Sequence, residues 1–600
     1  MTDGQAFDIA SLHAAYAAGF TPAEMIDTVL SRIDAVDDPG IFLHLPTRDE
    51  LLAEAEKLGP FDPHTFPLWG IPFAVKDNID VAGMPTTAAC PDYAYRPAAD
   101  ATVVRLLKNA GAIVIGKTNL DQFATGLVGV RTPYPVPRNA IDPSLVPGGS
   151  SSGSAVATAH GIVSFALGTD TAGSGRIPAG LNNIVGLKPS VGALSTTGVV
   201  PACRTLDCVS IFALTVDDAF SVFSVAAKPD ALDPYSRTLP PPTPAAPVLT
   251  VGVPQKADRQ FFGDAAMEAA YETALALVSG LGHRIVEVPF ADFYKTANLL
   301  YEGAWVAERY VAVKDFFDAK IDSFHPVTRK IYGAASELTA ADAFEGLYAL
   351  QALKKAVAPV IASVDLFCLP TAPRHFTRAE LEAEPIRENS RLGTYTNFVN
   401  LLDLCGIAVP TGTRGDGLPA SVTLLAPFGR DGLTAALARD IHAASGLPLG
   451  ATGWTQAPAR PPAIVEEDVL IELVVVGAHL SGMPLNGQLR DLEARFSRAV
   501  TTTPDYRLYA LAGQVPAKPG LIRAAQGSGA AIAVEVWRLT PSAFGRFVAA
   551  IPAPLGIGTI ALADGSTAKG FLCEPAGLEG ATDISAHGGW RAFVESQQAA

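Results

Sequence analysis

The sequence has few cysteines, and none of them is spaced as a metal-binding or redox pair. The six thiols stand at positions 90, 203, 208, 368, 405 and 573, without a C-x-x-C motif. This pattern indicates neither a structural zinc site nor a disulfide framework. We therefore expect reduced, buried thiols in a cytoplasmic protein, with no metal site.

Long apolar runs and blocks of positive charge are also missing. No stretch of about 18 uncharged apolar residues is present, and the N-terminal sequence MTDG lacks the basic and apolar parts of a signal peptide. The formal net charge is −16 at pH 7, and no long basic segment offsets it. A membrane or a nucleic acid is therefore not expected as a partner. A small anionic ligand would require local positive charge.

The length of 600 residues predicts more than one domain. The segment 446–462 is rich in Gly, Pro, Ala and Thr, which is typical of an inter-domain connection. Beyond it, residues 469–476 form an apolar run that indicates a buried strand opening a second, smaller domain. We therefore predict a first domain over 1–455, a linker over 456–465 and a second domain over 466–600.

The first domain shows the pattern of an α/β protein. A capping box with proline at the first helical position, Thr21-Pro22-Ala23-Glu24, begins a helix. Residues 70–78 indicate a short buried strand that ends in polar residues, including Lys76. A helix over 103–110 and a strand over 112–115 follow, and this order of strand, helix and strand is typical of α/β folds.

Two motif matches do not carry their usual meaning. Residues 111–118, GAIVIGKT, satisfy the P-loop pattern, but the four residues between the glycines form the strand itself, so their N–H groups are used by the sheet. Residues 149–153, GSSSG, satisfy the nucleophile-elbow pattern of α/β-hydrolases, which requires a strand entering the turn. The preceding segment is interrupted by two prolines instead. The elbow nevertheless stays open as an alternative.

Two serine clusters and one lysine suggest a catalytic centre. The clusters are GGSSSGS, which includes Ser150, and DTAGSGR, which includes Ser174. A serine nucleophile needs a group that removes its proton and N–H donors for the oxyanion. Lys76, the second serine and the glycine-rich backbone would supply both. A flexible Gly/Ser linker, and a lysine that reaches solvent from a strand end, are the structural alternatives.

The blocks GIPFAVKDN, GGSSSGSA and DTAGSGRIPAG, in this order, closely resemble the amidase signature family over about residues 5 to 450. The resemblance implies a central mixed β-sheet covered by helices. It also implies that Ser174 is the acyl-forming nucleophile, Ser150 the bridging serine after a cis peptide bond, and Lys76 the general base. The oxyanion would lie against the backbone N–H groups of the turn Thr171-Ala172-Gly173-Ser174.

The base Lys76 and the loop around Ser174 each bear on this assignment. The pKa of a lysine must fall from about 10.4 to near neutrality before it acts as a base, a change of about 4 kcal/mol that an apolar environment can supply. The commonest family loop has Gly-Gly before the nucleophile and a bulky apolar residue after it. Ala172 and Gly175 stand at those positions here. The shape of the acyl pocket is therefore open, whereas the N–H of an alanine still serves as a donor.

Two further segments, LLYEGAWVAERY from residue 299 and NLDQFATG from residue 119, resemble allophanate hydrolases. On a single helix Tyr301, Trp305 and Arg309 would share one side, spread over about 12 Å. The resemblance implies that Arg309 grips the allophanate carboxylate, that Tyr301 binds its other end and that Gly126 lies at the substrate. A solvated arginine on an amphipathic helix is the structural alternative.

The second domain also resembles part of the allophanate hydrolases. Its segment VVGAHLSGMPLN, from residue 475, is similar to the first loop of a small α+β domain related to γ-glutamylcyclotransferases. The resemblance implies hydrolysis of allophanate to ammonia and N-carboxycarbamate without a cofactor, followed by decarboxylation in this domain. His479 is the candidate catalyst there, against the alternative of a structural histidine.

Several expectations about partners follow. The chain contains no biotin or ATP-grasp region, so allophanate would come from a urea carboxylase or another allophanate-producing enzyme. We expect a homodimer. The alternative functions are another small-amide amidase or a glutamine amidotransferase subunit, with a second domain that binds or assembles but does not catalyse.

Overall fold

The computed structural model describes residues 4–240, 245–302, 304–456 and 470–598. These residues form two compact units. The first has the bounds Met1–Pro240, Val251–Leu281 and Ile285–Arg460, and the second has the bounds Pro241–Thr250, Gly282–Arg284 and Pro461–Ala600. The predicted linker over 456–465 lies, apart from residue 456, outside the described residues. The predicted domain boundary therefore stays a prediction.

The first unit contains a large mixed β-sheet. Its strands, as far as the chain is described, follow the order β1-β3-β2-β4-β6-β5-β10-β11-β9-β7-β8. The strands β1 to β11 are Phe42–His44, Pro72–Lys76, Ile113–Thr118, Phe165–Asp170, Val185–Lys188, Cys208–Ala213, Thr250–Pro254, Arg284–Val288, Leu366–Pro370, Leu404–Thr413 and Pro419–Pro427. Strand β2 pairs in parallel with β3 and β4, while β4 pairs antiparallel with β6. The predicted mixed sheet is thereby confirmed.

Helices cover this sheet. They are α1 to α16: Ile9–Ala17, Pro22–Val36, Arg48–Ala55, Thr102–Asn109, Ser152–Ala159, Ile177–Leu181, Val216–Ala226, Ala265–Gly280, Ala291–Glu302, Trp305–Ala312, Lys314–Ala319, Pro326–Gly333, Ala340–Ala362, Arg378–Ala383, Arg387–Leu392 and Asp431–Ser445. The predicted capping box at Thr21 begins α2, because its side chain accepts from the N–H of Glu24 and the Glu24 carboxylate accepts from the N–H of Thr21. Among the described residues no helix is long and apolar enough to cross a membrane.

The structure supports the rejection of the P-loop. Strand β3 lies inside the motif, and every residue from Ile113 to Thr118 is buried. The motif lysine, Lys117, lies 3.1 Å from the carboxylate of Asp77 and is also buried. A lysine held in this way cannot reach a phosphate.

The second unit has its own sheets and core. Its strands β12 to β19 are Ile471–Val475, Arg495–Thr501, Tyr506–Ala510, Pro519–Arg523, Ala533–Leu539, Leu555–Ala561, Thr567–Cys573 and Thr582–Asp583, and its helices α17 to α19 are Asn486–Asp491, Pro541–Ala549 and Trp590–Gln598. One sheet has the order β13-β16-β12-β18-β17, and a smaller one has the order β15-β14-β19. The predicted opening strand corresponds to β12, which lies in the centre of the larger sheet. This arrangement is an α+β fold, as expected.

Candidate functional site

The ends of two parallel neighbouring strands place Lys76 in the interior. Strand β2 ends at Lys76, and β4, paired with it through Val75 and Leu167, continues to Thr169 and Asp170. The carboxyl ends of parallel strands meet at one edge of a sheet, where sites commonly form. Lys76 Nζ lies 2.7 Å from Ser150 Oγ and 2.6 Å from Thr169 Oγ1, and the side chain has no exposed surface. Lys76 is therefore aimed at Ser150 instead of at solvent.

The surroundings of Lys76 favour its neutral form. Burial lowers the pKa of Lys76 to about 7, while the carboxylates of Asp121, Asp170 and Asp207 oppose the fall. Its contacts within hydrogen-bond distance are hydroxyl groups. A neutral amine in this position can accept a proton from Ser150.

The two predicted serines lie in the same interior region but do not touch through their hydroxyls. The Gly149–Ser150 peptide bond is cis, as the family resemblance implies. Ser174 Oγ donates to the carbonyl of Gly126 at 3.4 Å, and no hydrogen bond joins it to Ser150 within the part of the chain that the structure describes. Gly126 thus lies beside the candidate nucleophile.

The turn that carries Ser174 is braced by an ion pair. The Asp170 carboxylate accepts from Arg176 Nε and Nη2 at 2.9 and 3.0 Å, and both side chains are fully buried. Burial by itself raises the pKa of Asp170, but the charge and hydrogen bonds of Arg176 hold it below the usual value. The same carboxylate accepts from the N–H groups of Gly173 and Gly175 at 2.8 and 3.0 Å. These hydrogen bonds to Asp170 hold the backbone of the turn in place.

The oxyanion assignment needs one correction. The N–H of Gly173 is already bonded to Asp170, so it is not free to bind an oxyanion. The N–H groups of Thr171, Ala172 and Ser174 have no hydrogen-bond partner among the described residues. The sequence alone could not show which N–H groups of the turn are free, because this depends on where the tertiary structure places the Asp170 carboxylate.

Small residues in the turn are required by close packing. Gly173 has a φ of +134°, and a Cβ there would lie 2.4 Å from Thr396 Oγ1. A Cβ on Gly175 would lie 2.4 Å from the Cβ of Ser210. Gly175, which replaces the bulky apolar residue of the commonest family loop, therefore fits the small space that this chain leaves there.

The segment with the candidate substrate-binding residues is not one helix. Tyr301 lies on α9, which ends at Glu302, and Arg309 lies on α10, which begins at Trp305. The prediction of a single helix with both residues along one side is wrong. The two residues nevertheless meet, since Arg309 Cζ lies 5.2 Å from the centre of the Tyr301 ring.

Arg309 is a buried cation with unused donors. It has no exposed surface, and its Nε and Nη2 have no hydrogen-bond partner among the described residues. Its Nη1 lies 3.5 Å from Thr125 Oγ1. Because buried charged groups are normally paired, these two donors are suited to bind an anion. The alternative of a solvated surface arginine is excluded by this burial.

Thr125 lies between this cation and the candidate nucleophile, Ser174. It precedes Gly126, whose carbonyl accepts from Ser174. The Thr125 hydroxyl lies 3.2 Å from Tyr332 Oη, and its carbonyl accepts from Arg131 Nη1 at 3.0 Å. Arg131 is also buried, and its Nη2 donates to the carbonyl of Pro385 at 2.8 Å. Arg309 and Ser174 are thus connected through contacts with the dipeptide Thr125–Gly126.

The sequence reasoning missed several of these residues. Asp121 accepts from the N–H groups of Val128, Gly129 and Arg131 at 2.9–3.1 Å and thereby shapes the loop that contains Gly126. Thr169 holds Lys76. Its position one residue before the end of a buried strand was a usable signal. Asp121 lies inside the segment NLDQFATG, which resembles the family, whereas nothing in the local sequence marks Arg131.

His479 lies at a separate cavity in the second unit. The cavity has a volume of about 550 Å³, and its lining includes Gln488, Lys518 and Arg546. The imidazole stacks on Phe571 with a centroid distance of 5.2 Å, and its Nε2 lies 2.9 Å from Gln488 Oε1. Burial lowers the pKa of His479, and nearby Lys518 adds to this while Gln488 opposes it. The ring is half-buried and forms part of the cavity wall.

Comparison with known protein families identifies both parts of the chain. Residues 24–434 match the Amidase family. The chain belongs to this family, whose members are enzymes. Residues 471–595 match the family described as Allophanate hydrolase C-terminal domain, so the second unit is such a domain.

Individual relatives cover nearly the whole chain. The urea amidolyase of Lachancea kluyveri is 43% identical over 598 residues, which are 96% of this chain and 32% of that protein. The chain thus spans about a third of the length of such curated relatives. The solved structure of Kluyveromyces lactis allophanate hydrolase is 41% identical, with a TM-score of 0.76, over 98% of this chain and 99% of that one. The solved K. lactis urea amidolyase is 40% identical, with a TM-score of 0.78, over 99% and 37%.

Proposed function

We propose that this protein hydrolyses allophanate to ammonia and N-carboxycarbamate. The observation that carries the proposal is the fully buried Arg309 guanidinium, whose Nε and Nη2 have no partner among the described residues. It lies beside Tyr301 and, through the dipeptide Thr125–Gly126, next to Ser174. A small amide with a carboxylate at its other end would fill this site, because the carboxylate supplies the missing acceptor.

In the proposed reaction Ser174 Oγ attacks the carbonyl carbon of the terminal amide. Ser150 takes the proton of Ser174 and passes its own to neutral Lys76, and Lys76 returns a proton to the leaving nitrogen. Ammonia leaves, and the carbonyl carbon remains bound to Ser174 as an acyl ester. Water activated by the same relay then releases N-carboxycarbamate. The unpaired N–H groups of Thr171, Ala172 and Ser174 would hold the oxyanion.

A substrate comparison tests this function. Ammonia release is measured with allophanate, malonamate, biuret and glutamine. Ser174→Ala should abolish it, whereas Ser279→Ala, at an exposed helix position of the same unit, should not. Arg309→Ala should lower kcat/KM for allophanate by about 100-fold, or about 3 kcal/mol, and leave biuret almost unaffected. An unchanged kcat/KM for allophanate in Arg309→Ala would instead favour another small-amide amidase or a glutamine amidotransferase subunit.

A second function is supported by the cavity around His479. There we propose that protonation of the nitrogen of N-carboxycarbamate releases CO₂ and leaves carbamate, which breaks down to ammonia and CO₂. The half-buried imidazole and the cations Lys518 and Arg546 on the lining support the binding of a small dianion. His479→Asn should leave the first ammonia unchanged and slow CO₂ release. Unchanged CO₂ release would leave the domain as a binding or assembly module.

We further propose a homodimer in the cytoplasm that receives allophanate from a urea carboxylase or another allophanate-producing enzyme. Sedimentation equilibrium tests the dimer, and a coupled assay with a urea carboxylase tests the supply.

A further inference from the structure

A closed turn lies between the catalytic turn and helix α10. Residues 202–207, named here the Asp207 turn, wrap around one carboxylate. Asp207 accepts from the N–H groups of Ala202 and Cys203 at 2.8 and 3.1 Å. The N–H groups of Leu206 and Asp207 in turn donate to the carbonyl of Cys203 at 2.9 and 2.8 Å. The turn is therefore held by its own hydrogen bonds and can move only as one piece.

One side of the Asp207 turn is fastened to the catalytic turn. Thr171 Oγ1 donates to Asp207 Oδ1 at 2.5 Å. Asn400 Nδ2 donates both to the carbonyl of Asp170 at 2.7 Å and to that of Leu206 at 2.8 Å. Thr171 is the first of the residues with an unpaired backbone N–H. The hydrogen bond of its side chain thus holds in place a residue whose backbone N–H is a candidate oxyanion donor.

The other side of the Asp207 turn is fastened to α10. Thr205 donates through its N–H and its hydroxyl to the two carboxylate oxygens of Glu308, each at 2.8 Å. The Cys203 thiol lies 3.6 Å from the carbonyl of Trp305, the first residue of α10. Glu308 directly precedes Arg309. The helix that presents the buried cation is therefore connected through one rigid turn to the oxyanion donors.

We propose that the Asp207 turn is the link through which α10 sets the position of the oxyanion donors, and that Thr171, Asp207 and Glu308 are positioning residues for the reaction. This inference rests on the proposed function of Ser174. Donors must lie within about 0.5 Å of their working positions to stabilise an oxyanion. A substrate carboxylate bound to Arg309 would restrict the movement of α10. Because the Asp207 turn is bonded to both α10 and Thr171, the position of Thr171 would then be restricted as well.

The connection at Thr171 is tested by two variants of similar size. Thr171→Val removes the hydroxyl and keeps the backbone N–H, and Thr171→Ser keeps both. We expect kcat for allophanate to fall by about tenfold or more in Thr171→Val with KM changed less than about twofold, because the donors and not the carboxylate site are displaced. Thr171→Ser should restore kcat. Wild-type kcat in Thr171→Val would overturn the inference.

The connection at Glu308 is tested at a half-buried position of α10. Glu308→Ala should lower kcat and leave KM for allophanate unchanged, and it should have no additional effect in a Thr171→Val background. The matched control is Glu345→Ala, at an exposed position on α13. A rise in KM alone, or effects that simply add, would overturn the inference. Activity retained in Ser174→Ala would instead refute the proposed function, so the two failures are distinguishable.

Discussion

The contact between Thr169 and Lys76 makes a specific prediction about pH dependence. Lys76 Nζ lies 2.6 Å from Thr169 Oγ1 and 2.7 Å from Ser150 Oγ, and no exposed surface allows water to replace either partner. Thr169→Val keeps the shape of the side chain and removes the acceptor. The ammonium form, which has three N–H donors, then loses more than the neutral amine.

The size of the effect follows from the strengths of the two kinds of hydrogen bond. A hydrogen bond to a charged group contributes about 1.5–3 kcal/mol and a neutral one about 0.5–1.5 kcal/mol. The difference of about 1–1.5 kcal/mol corresponds to about one pH unit. The pKa of Lys76, about 7 in the native protein, should therefore fall to about 6. The amine also loses a contact that orients it, so the plateau rate should fall by about tenfold.

The assay is kcat/KM for allophanate between pH 5 and 9, measured by ammonia release. The neutral amine is the active form, so the rate should rise with pH to half its plateau near pH 7 in the native enzyme and near pH 6 in Thr169→Val. Thr169→Ser retains the hydroxyl and should keep the native profile. An acidic limb that stays near pH 7 in Thr169→Val, with an unchanged plateau, would refute the proposed role of this contact.

Three further predictions concern stability, measured by chemical denaturation. Between pH 7 and 10.5 Lys76 is protonated in the unfolded chain but not in the native state, so the free energy of unfolding should rise by up to about 1.4 kcal/mol per pH unit from this group. Lys76→Met should remove that slope. An unchanged slope would contradict the assignment. Gly126→Ala places a Cβ 2.5 Å from Asp121 Oδ2 and should cost about 1–3 kcal/mol and lower kcat; native stability would show that the loop yields freely. Asp170→Asn leaves the buried Arg176 guanidinium without a counter-charge and should cost about 3–5 kcal/mol, whereas a loss below about 1 kcal/mol would argue against the brace.

Much of the fold could be predicted from local patterns. The capping box at Thr21, the buried strand before Lys76 and the strand inside the P-loop match correspond to α2, β2 and β3. These predictions succeed because a helix start and a buried strand are determined mainly by neighbouring residues. The break between α9 and α10 was not predicted, because the apolar spacing from Tyr301 to Arg309 also fits an uninterrupted helix.

The sequence by itself identified which residue types are available for chemistry. Lys76, Ser150, Ser174 and Arg309 were found from motifs, since each motif reflects a local requirement for small or reactive residues. The sequence also indicated two domains and an acidic chain that needs local positive charge to bind an anion.

Only the tertiary structure decided what each of these groups can do. It placed Thr169 and Ser150 against Lys76, used the N–H of Gly173 for Asp170, and left Nε and Nη2 of Arg309 without a partner among the described residues. Protonation, donor availability and charge pairing depend on groups that are distant along the chain and adjacent in space. No local sequence pattern contains that information.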